Sequence, residues 1–170
     1  MKWCVISGGW KKANEELKSD VERTVEKILS SGKGIITGGA LGVDFIATRT
    51  TLDSNVHPPE RLRIYLPVPL VKYSDHLYKR VDENVITREH ANMLTNQLAF
   101  IREAYPECIH DEWGFTEVNS ESYYTRNTKE IEDGHELYAF HVNETLGTQD
   151  IINKARVLGK PIYVKKYSIR

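Results

Sequence analysis

A chain of 170 residues, 40% apolar and 28% charged, has the size and composition of one soluble globular domain. Its formal net charge is −1, which argues against a strong non-specific nucleic-acid binder, since such proteins are basic. No apolar run approaches the roughly 20 residues that span a bilayer, and Met1 leads straight into an apolar run, so a cytoplasmic protein without a targeting segment is expected.

Lys2–Ser7 is a short apolar run and reads as a buried strand. Asn14 follows as a helix N-cap, with Glu15 and Glu16 in the first turn. Leu17, Val21, Val25 and Ile28 then recur at helical spacing, and Ser31-Gly32 closes the helix. Gly34–Thr37 is a second strand, followed by a helix with Val43, Ile46 and Ala47 on one face. Leu62–Val68 is a third strand, ended by Pro67 and Pro69. This alternation predicts a parallel sheet whose right-handed crossovers place helices on its faces.

Past Leu70 the pattern is less regular. The spacing of Leu94, Leu98, Ile101 and Tyr105 predicts a helix over Val85–Tyr105, stopped by Pro106. Residues 107–122 are acidic and aromatic and read as a lid-like or irregular connection. A short helix is expected over Tyr124–Asp133 and a fourth strand over Glu136–Val142. A helix over Gln149–Leu158, with Gly159 at its end, leads to a last strand at Pro161–Lys165. One domain over residues 1–170 is expected.

Three glycine-bearing turns each follow a predicted strand: Ser7-Gly8-Gly9, Gly38-Gly39-Ala40-Leu41-Gly42 and Leu146-Gly147-Thr148. In a parallel sheet all three fall at the carboxyl edge, where such sheets bind ligands. Glycine permits close backbone approach, and the next helix offers free N–H groups to phosphate. Ser7, Gly8, Gly9, Gly38, Gly39, Ala40, Gly42, Gly147 and Thr148 are therefore candidate ligand contacts; tight turns alone are the alternative.

Asp44 lies in the first turn of its helix. It is either a carboxylate stabilised by the helix dipole or one that binds a ribose hydroxyl or a facing loop. Arg126 is a candidate phosphate clamp, a surface ion pair with Glu130 at i+4 being the other reading. Tyr123 and Tyr124 are candidates for base stacking or for the core. Glu144 and Asp150 are the carboxylates nearest the predicted ligand edge, and a solvated loop charge is the plainer reading of Glu144. The six histidines have no zinc-binding spacing, Cys4 and Cys108 show no paired spacing, and no Walker lysine or Gly-x-Ser-x-Gly turn is present. Neither a metal nor a cofactor is expected beyond a nucleotide as ligand.

Gly38-Gly39-Ala40-Leu41-Gly42-Val43-Asp44 resembles the Gly-Gly-Ala-x-Gly-x-Asp turn of the DNA-processing protein A (Smf) family. Arg126-Asn127, and Leu146-Gly147-Thr148 ahead of a helix containing Ala155, follow that family's order. The wider group is the SMF/DprA–LOG (SLOG) superfamily, which includes cytokinin-activating phosphoribohydrolases and molybdenum-cofactor carriers. The resemblance implies a Rossmann-like three-layer sandwich, with a mainly parallel sheet, helices on both faces and a nucleotide or single-stranded DNA at the carboxyl edge. It also implies a homodimer or higher homo-oligomer, and it adds Asn127 as a partner of Arg126.

The phosphoribohydrolases carry Pro-Gly-Gly-x-Gly-Thr-x-x-Glu, with the final Glu catalytic. Here Ile151 stands at that position, and an isoleucine does no acid–base work. The first expectation is therefore a nucleotide-binding sensor or carrier. The alternatives are a nucleotide N-glycosidase that uses Glu144 or Asp150, and a single-stranded-DNA-binding protein of the DNA-processing kind.

Overall fold

The computed structural model describes all 170 residues, Met1–Arg170. Six strands build one parallel sheet: β1 (Trp3–Gly8), β2 (Gly34–Thr37), β3 (Leu62–Tyr65), β4 (Ile109–His110), β5 (Glu136–Val142) and β6 (Ile162–Tyr167). Their spatial order is β4-β3-β2-β1-β5-β6, with every neighbouring pair parallel. Seven helices connect them: α1 (Glu15–Ser30), α2 (Val43–Asp53), α3 (Pro58–Arg61), α4 (Leu70–Asp82), α5 (Arg88–Ala104), α6 (Ser120–Asp133) and α7 (Leu146–Val157).

The period-two alternation of the strands sorts the core into two layers. Cys4, Ile6 and Ile35 face the layer that holds α1, α2, α4 and α5, a cluster of 25 buried residues. Trp3, Val5 and Ile36 face the layer that holds α6 and α7, a cluster of 10. Helix α1 buries Leu17, Val21, Val25, Ile28 and Leu29 as one stripe, and the Asn14 side chain accepts from the Leu17 N–H at 2.9 Å. This is the expected Rossmann-like three-layer arrangement.

Several boundaries differ from expectation. The third strand ends at Tyr65 rather than Val68, because Pro67 has no N–H to extend the ladder. Leu70–Asp82 forms a helix of its own and Arg88–Ala104 a second, in place of one helix starting at Val85. The first of these leaves little hydrophobic pattern in the sequence, because only Tyr73 and Leu77 on it are buried. Residues 109–110 add a short strand beside β3 that two residues could not announce. Helix α6 starts at Ser120, not Tyr124, through an Asn119–Ser122 capping box. Helix α7 starts at Leu146, so Gly147 and Thr148 belong to its first turn rather than to a turn ahead of it.

The segment expected as a lid-like or irregular connection is anchored at the start of its loop. Asp111 accepts from the Leu70 N–H at 2.8 Å and pairs with Arg102. Trp113 donates its Nε1–H to the Leu66 carbonyl at 2.7 Å and packs on Tyr65.

Candidate functional site

The connection after β1 runs through α1 in the first layer, whereas the connection after β5 runs through α7 in the second. Adjacent strands β1 and β5 therefore send their chains to opposite faces from their carboxyl ends. This is the topological switch point where parallel α/β sheets place ligands. The three glycine turns sit on the neighbouring strands β2, β1 and β5, so the fold brings them to one edge.

The β1 and β2 turns are interlocked. The Gly9 N–H donates to the Phe140 carbonyl at 3.2 Å, and the Gly9 carbonyl accepts from the Val43 N–H at 3.0 Å. Gly42 adopts φ 71° and ψ −124°, and a Cβ there would lie 2.8 Å from the Trp10 Cα. Only glycine takes that conformation without strain. The amides of Gly39, Leu41 and Gly42 donate to no backbone carbonyl.

Arg126 and Asp44 meet at Gly38. The Arg126 Nη1–H donates to the Gly38 carbonyl and, at 3.3 Å, to the Tyr65 carbonyl. The Asp44 Oδ2 accepts from the Gly38 and Ala40 amides at 3.1 and 3.3 Å. A Cβ on Gly38 would lie 2.5 Å from the guanidinium, so this close approach is what the glycine serves. The Tyr73 hydroxyl donates to the Gly39 carbonyl at 3.1 Å. Two amides that were candidates for phosphate are thus held by the chain's own carboxylate, and Arg126 is packed against the turn as a buried side chain.

The expected surface pair between Arg126 and Glu130 is instead buried. Glu130 is 2% exposed, its Oε2 lies 3.8 Å from the Arg126 Nε, and its Oε1 has no hydrogen-bond partner. Burial pushes the Glu130 carboxyl up to about 8, with Arg126 pulling it back. Burial raises Asp44 to about 6 against the opposing pull of Arg126 and the two amides. Burial thus makes both carboxyls harder to ionise than in water, Glu130 more so than Asp44, with Arg126 the cation that opposes it. Sequence spacing marked the pair, but it gave no sign of the burial.

The third turn is more open. Asn143 and Glu144 both take positive φ, 50° and 53°. Helix α7 then begins without a side-chain cap, and the amides of Leu146, Gly147 and Thr148 donate to no backbone carbonyl. Nothing lies within 4 Å of where a Gly147 Cβ would be. Thr148 is buried inside the helix, its hydroxyl 3.1 Å from that of Thr145, so Thr145 rather than Thr148 holds the cap position. Asn127 accepts from the Arg126 Nε–H at 3.1 Å and donates to the Asp150 carboxylate at 3.0 Å. Lys154 donates to the same carboxylate at 2.8 Å.

The remaining candidates spread out. Glu144 points to solvent, 81% exposed and 3.8 Å from Lys166. Ile151 is fully buried in the second layer. Tyr123 packs against the Arg126 guanidinium at 5.3 Å, whereas Tyr124 stays 41% exposed. Cys4 and Cys108 are buried, and no three His, Cys, Asp or Glu side chains are grouped as a metal would need.

No protein-family model matches the chain, and no curated protein does. Solved structures of the same fold do. DNA processing protein A from Helicobacter pylori, which binds single-stranded DNA, superposes with a TM-score of 0.65 at 19% identity, over 96% of this chain and 64% of its own. DNA processing protein A from Streptococcus pneumoniae gives a TM-score of 0.66 at 14% identity, over 96% of this chain and 50% of its own. A molybdenum cofactor binding protein from Rippkaea orientalis gives 0.60 at 14% identity, over 98% and 77%. The chain thus spans half to three quarters of the length of these structures. The Rossmann-like three-layer fold that the resemblance implies is the fold found, and these structures share it.

Proposed function

We propose that the protein binds a nucleotide or nucleotide-derived phosphorylated ligand at the carboxyl edge of the sheet, as a sensor or carrier. The observation that supports this reading is two sets of amides without an acceptor, both at the carboxyl edge of the sheet. Gly39, Leu41 and Gly42 contribute one set, and the uncapped first turn of α7 contributes the other. Arg126 and Asp44 then act as positioning residues that fix the β2 turn. Tyr124 is the exposed ring on which a base stacks.

A binder fits better than a hydrolase. Asp150 is held by Asn127 and Lys154, Glu144 is solvated, and Ile151 is in the core. The single-stranded-DNA reading is supported only by the fold shared with DNA processing protein A, and a homodimer only by the resemblance.

The test is a thermal-unfolding screen with mononucleotides, dinucleotides, cyclic nucleotides, the matching nucleosides and oligo-dT. Ligand that binds only the native state at a hundred times Kd adds about 2.7 kcal/mol of stability. The expected result is stabilisation by one nucleotide and none by its nucleoside. Stabilisation by oligo-dT alone would assign the edge to DNA, and equal stabilisation by the nucleoside would remove the phosphate from the account.

A further inference from the structure

A groove of about 1020 Å³ runs along the first layer; it shares Leu41 and Gly42 with the edge described above and takes the rest of its lining from elsewhere. Its lining comes from the β1–α1 connection, α1, the β2–α2 turn, α2, the end of α4, the α4–α5 turn, the start of α5 and the C-terminal residues. Lys11, Lys12, Lys18, Arg88 and Arg170 are all part of it, and no Asp or Glu side chain is. None of those five cations forms an ion pair within the chain. By contrast, Lys33, Arg102, Lys154 and Lys165 each hold a carboxylate. A chain of net charge −1 has here gathered one sign of charge and left it uncompensated.

Most of the remaining lining is apolar, with Asn84, Thr87 and His90 as its polar members. Ile46, Val81, Val85, Ile86 and Met93 are aliphatic or thioether side chains, and Met93 is 42% exposed. The Trp10 indole, 40% exposed, stands beside Lys11 with the ammonium 5.8 Å from the ring. Three features select the occupant. The cations come from separate elements, which suits several negative charges along a body rather than one head group. The aliphatic lining calls for apolar side chains. A single strand of nucleic acid uses a series of stacking rings, and here only one aromatic side chain is well exposed.

We propose that this groove binds an acidic, apolar-sided peptide segment of a partner protein. Apolar side chains of the segment pack on Ile46, Val85 and Met93, and its carboxylates meet the five cations. Charge complementarity at the rim would set partner choice and association rate, and apolar contact the residence time.

The test is selection of short displayed random peptides on the whole protein, counter-selected on the double variant Lys11→Glu/Arg88→Glu. Both positions are exposed, so the variant is expected to unfold at the parent temperature. The expected outcome is enrichment of peptides that combine Asp or Glu with Leu, Ile or Phe. A labelled synthetic copy should lose binding about tenfold or more in that variant and in Met93→Asp. The proposal is overturned if nothing is enriched over the variant or if the enriched peptides carry no net negative charge. It is equally overturned if oligo-dT binds and is lost with the same substitutions, which would make this a nucleic-acid face.

Discussion

Arg126 and Gly38 are joined across two layers of the fold: a guanidinium from α6 donates to the carbonyl of the residue that begins the β2 turn. The N–H of that same residue is held by Asp44, so both sides of its backbone are fixed by side chains. The turn at the ligand edge is thus set by a buried charge group and not by its glycines alone.

Removing the cation from this group leaves the buried Asp44 carboxylate without its counter-charge. Arg126→Ala should destabilise the protein by about 3–5 kcal/mol, since an uncompensated buried charge is what such a change creates. Urea unfolding at neutral pH measures it. A loss under about 1 kcal/mol would show that the guanidinium is not what holds the turn. Arg126→Lys should recover only part of the loss, because an ammonium lacks the planar fork whose Nη1 reaches Gly38 and Tyr65 while its Nε donates to Asn127.

The carboxyls make stability depend on pH with a defined sign. Glu130 is raised from 4.5 to about 8 in the folded state, so the native protein holds a proton that the unfolded chain has released. The stabilising contribution is complete below pH 4.5 and declines as pH rises towards 8, by up to about 1.4 kcal/mol per pH unit for one proton. Asp44, raised from 3.8 to about 6, adds a decline in the lower part of that window. Glu130→Gln should flatten the slope above pH 6 and make the protein more stable than the parent at pH 8. If parent and variant have superimposable pH–stability curves, Glu130 is not protonated in the native state.

Gly42→Ala should cost roughly 2–4 kcal/mol, because the new methyl group strikes the Gly9–Trp10 backbone and the conformation is one that alanine avoids. Thermal unfolding reads this directly. A loss near zero would mean that the β1 and β2 turns separate readily.

Ile151→Glu places a carboxylate at the position where the phosphoribohydrolases have theirs. Here that position is in the second-layer core, fully buried among apolar side chains. The change should destabilise by about 3 kcal/mol or more and create no base release from nucleoside monophosphates. Release detected by chromatography would revive the hydrolase reading.

The sheet was readable where hydrophobic pattern and punctuation coincide. Gly34–Thr37 and Glu136–Val142 match their strands residue for residue, and Asn14 caps α1. Elements held by few buried contacts were not readable: α4 buries two side chains, and β4 is two residues long. At the site, the glycine spacing located the turns, but spacing says nothing of depth. Arg126 and Glu130 look like an ordinary i+4 surface pair in sequence, and only packing against Gly38 and Tyr65 makes them a buried group. Tyr73 and Trp113, which bind carbonyls at the ends of β2 and β3, come from the stretch where the pattern was weakest.

The most direct test of the account is nucleotide-induced stabilisation in Gly147→Asp. Position 147 is in the first turn of α7 with open space around it, so an added carboxylate costs no packing and suits the helix dipole. The account predicts that the variant without ligand unfolds at or above the parent temperature, while the shift given by the nucleotide is lost because one anion excludes another. An undiminished shift in Gly147→Asp would contradict a phosphate at this helix terminus, and the absence of any nucleotide shift in the parent would contradict the site altogether.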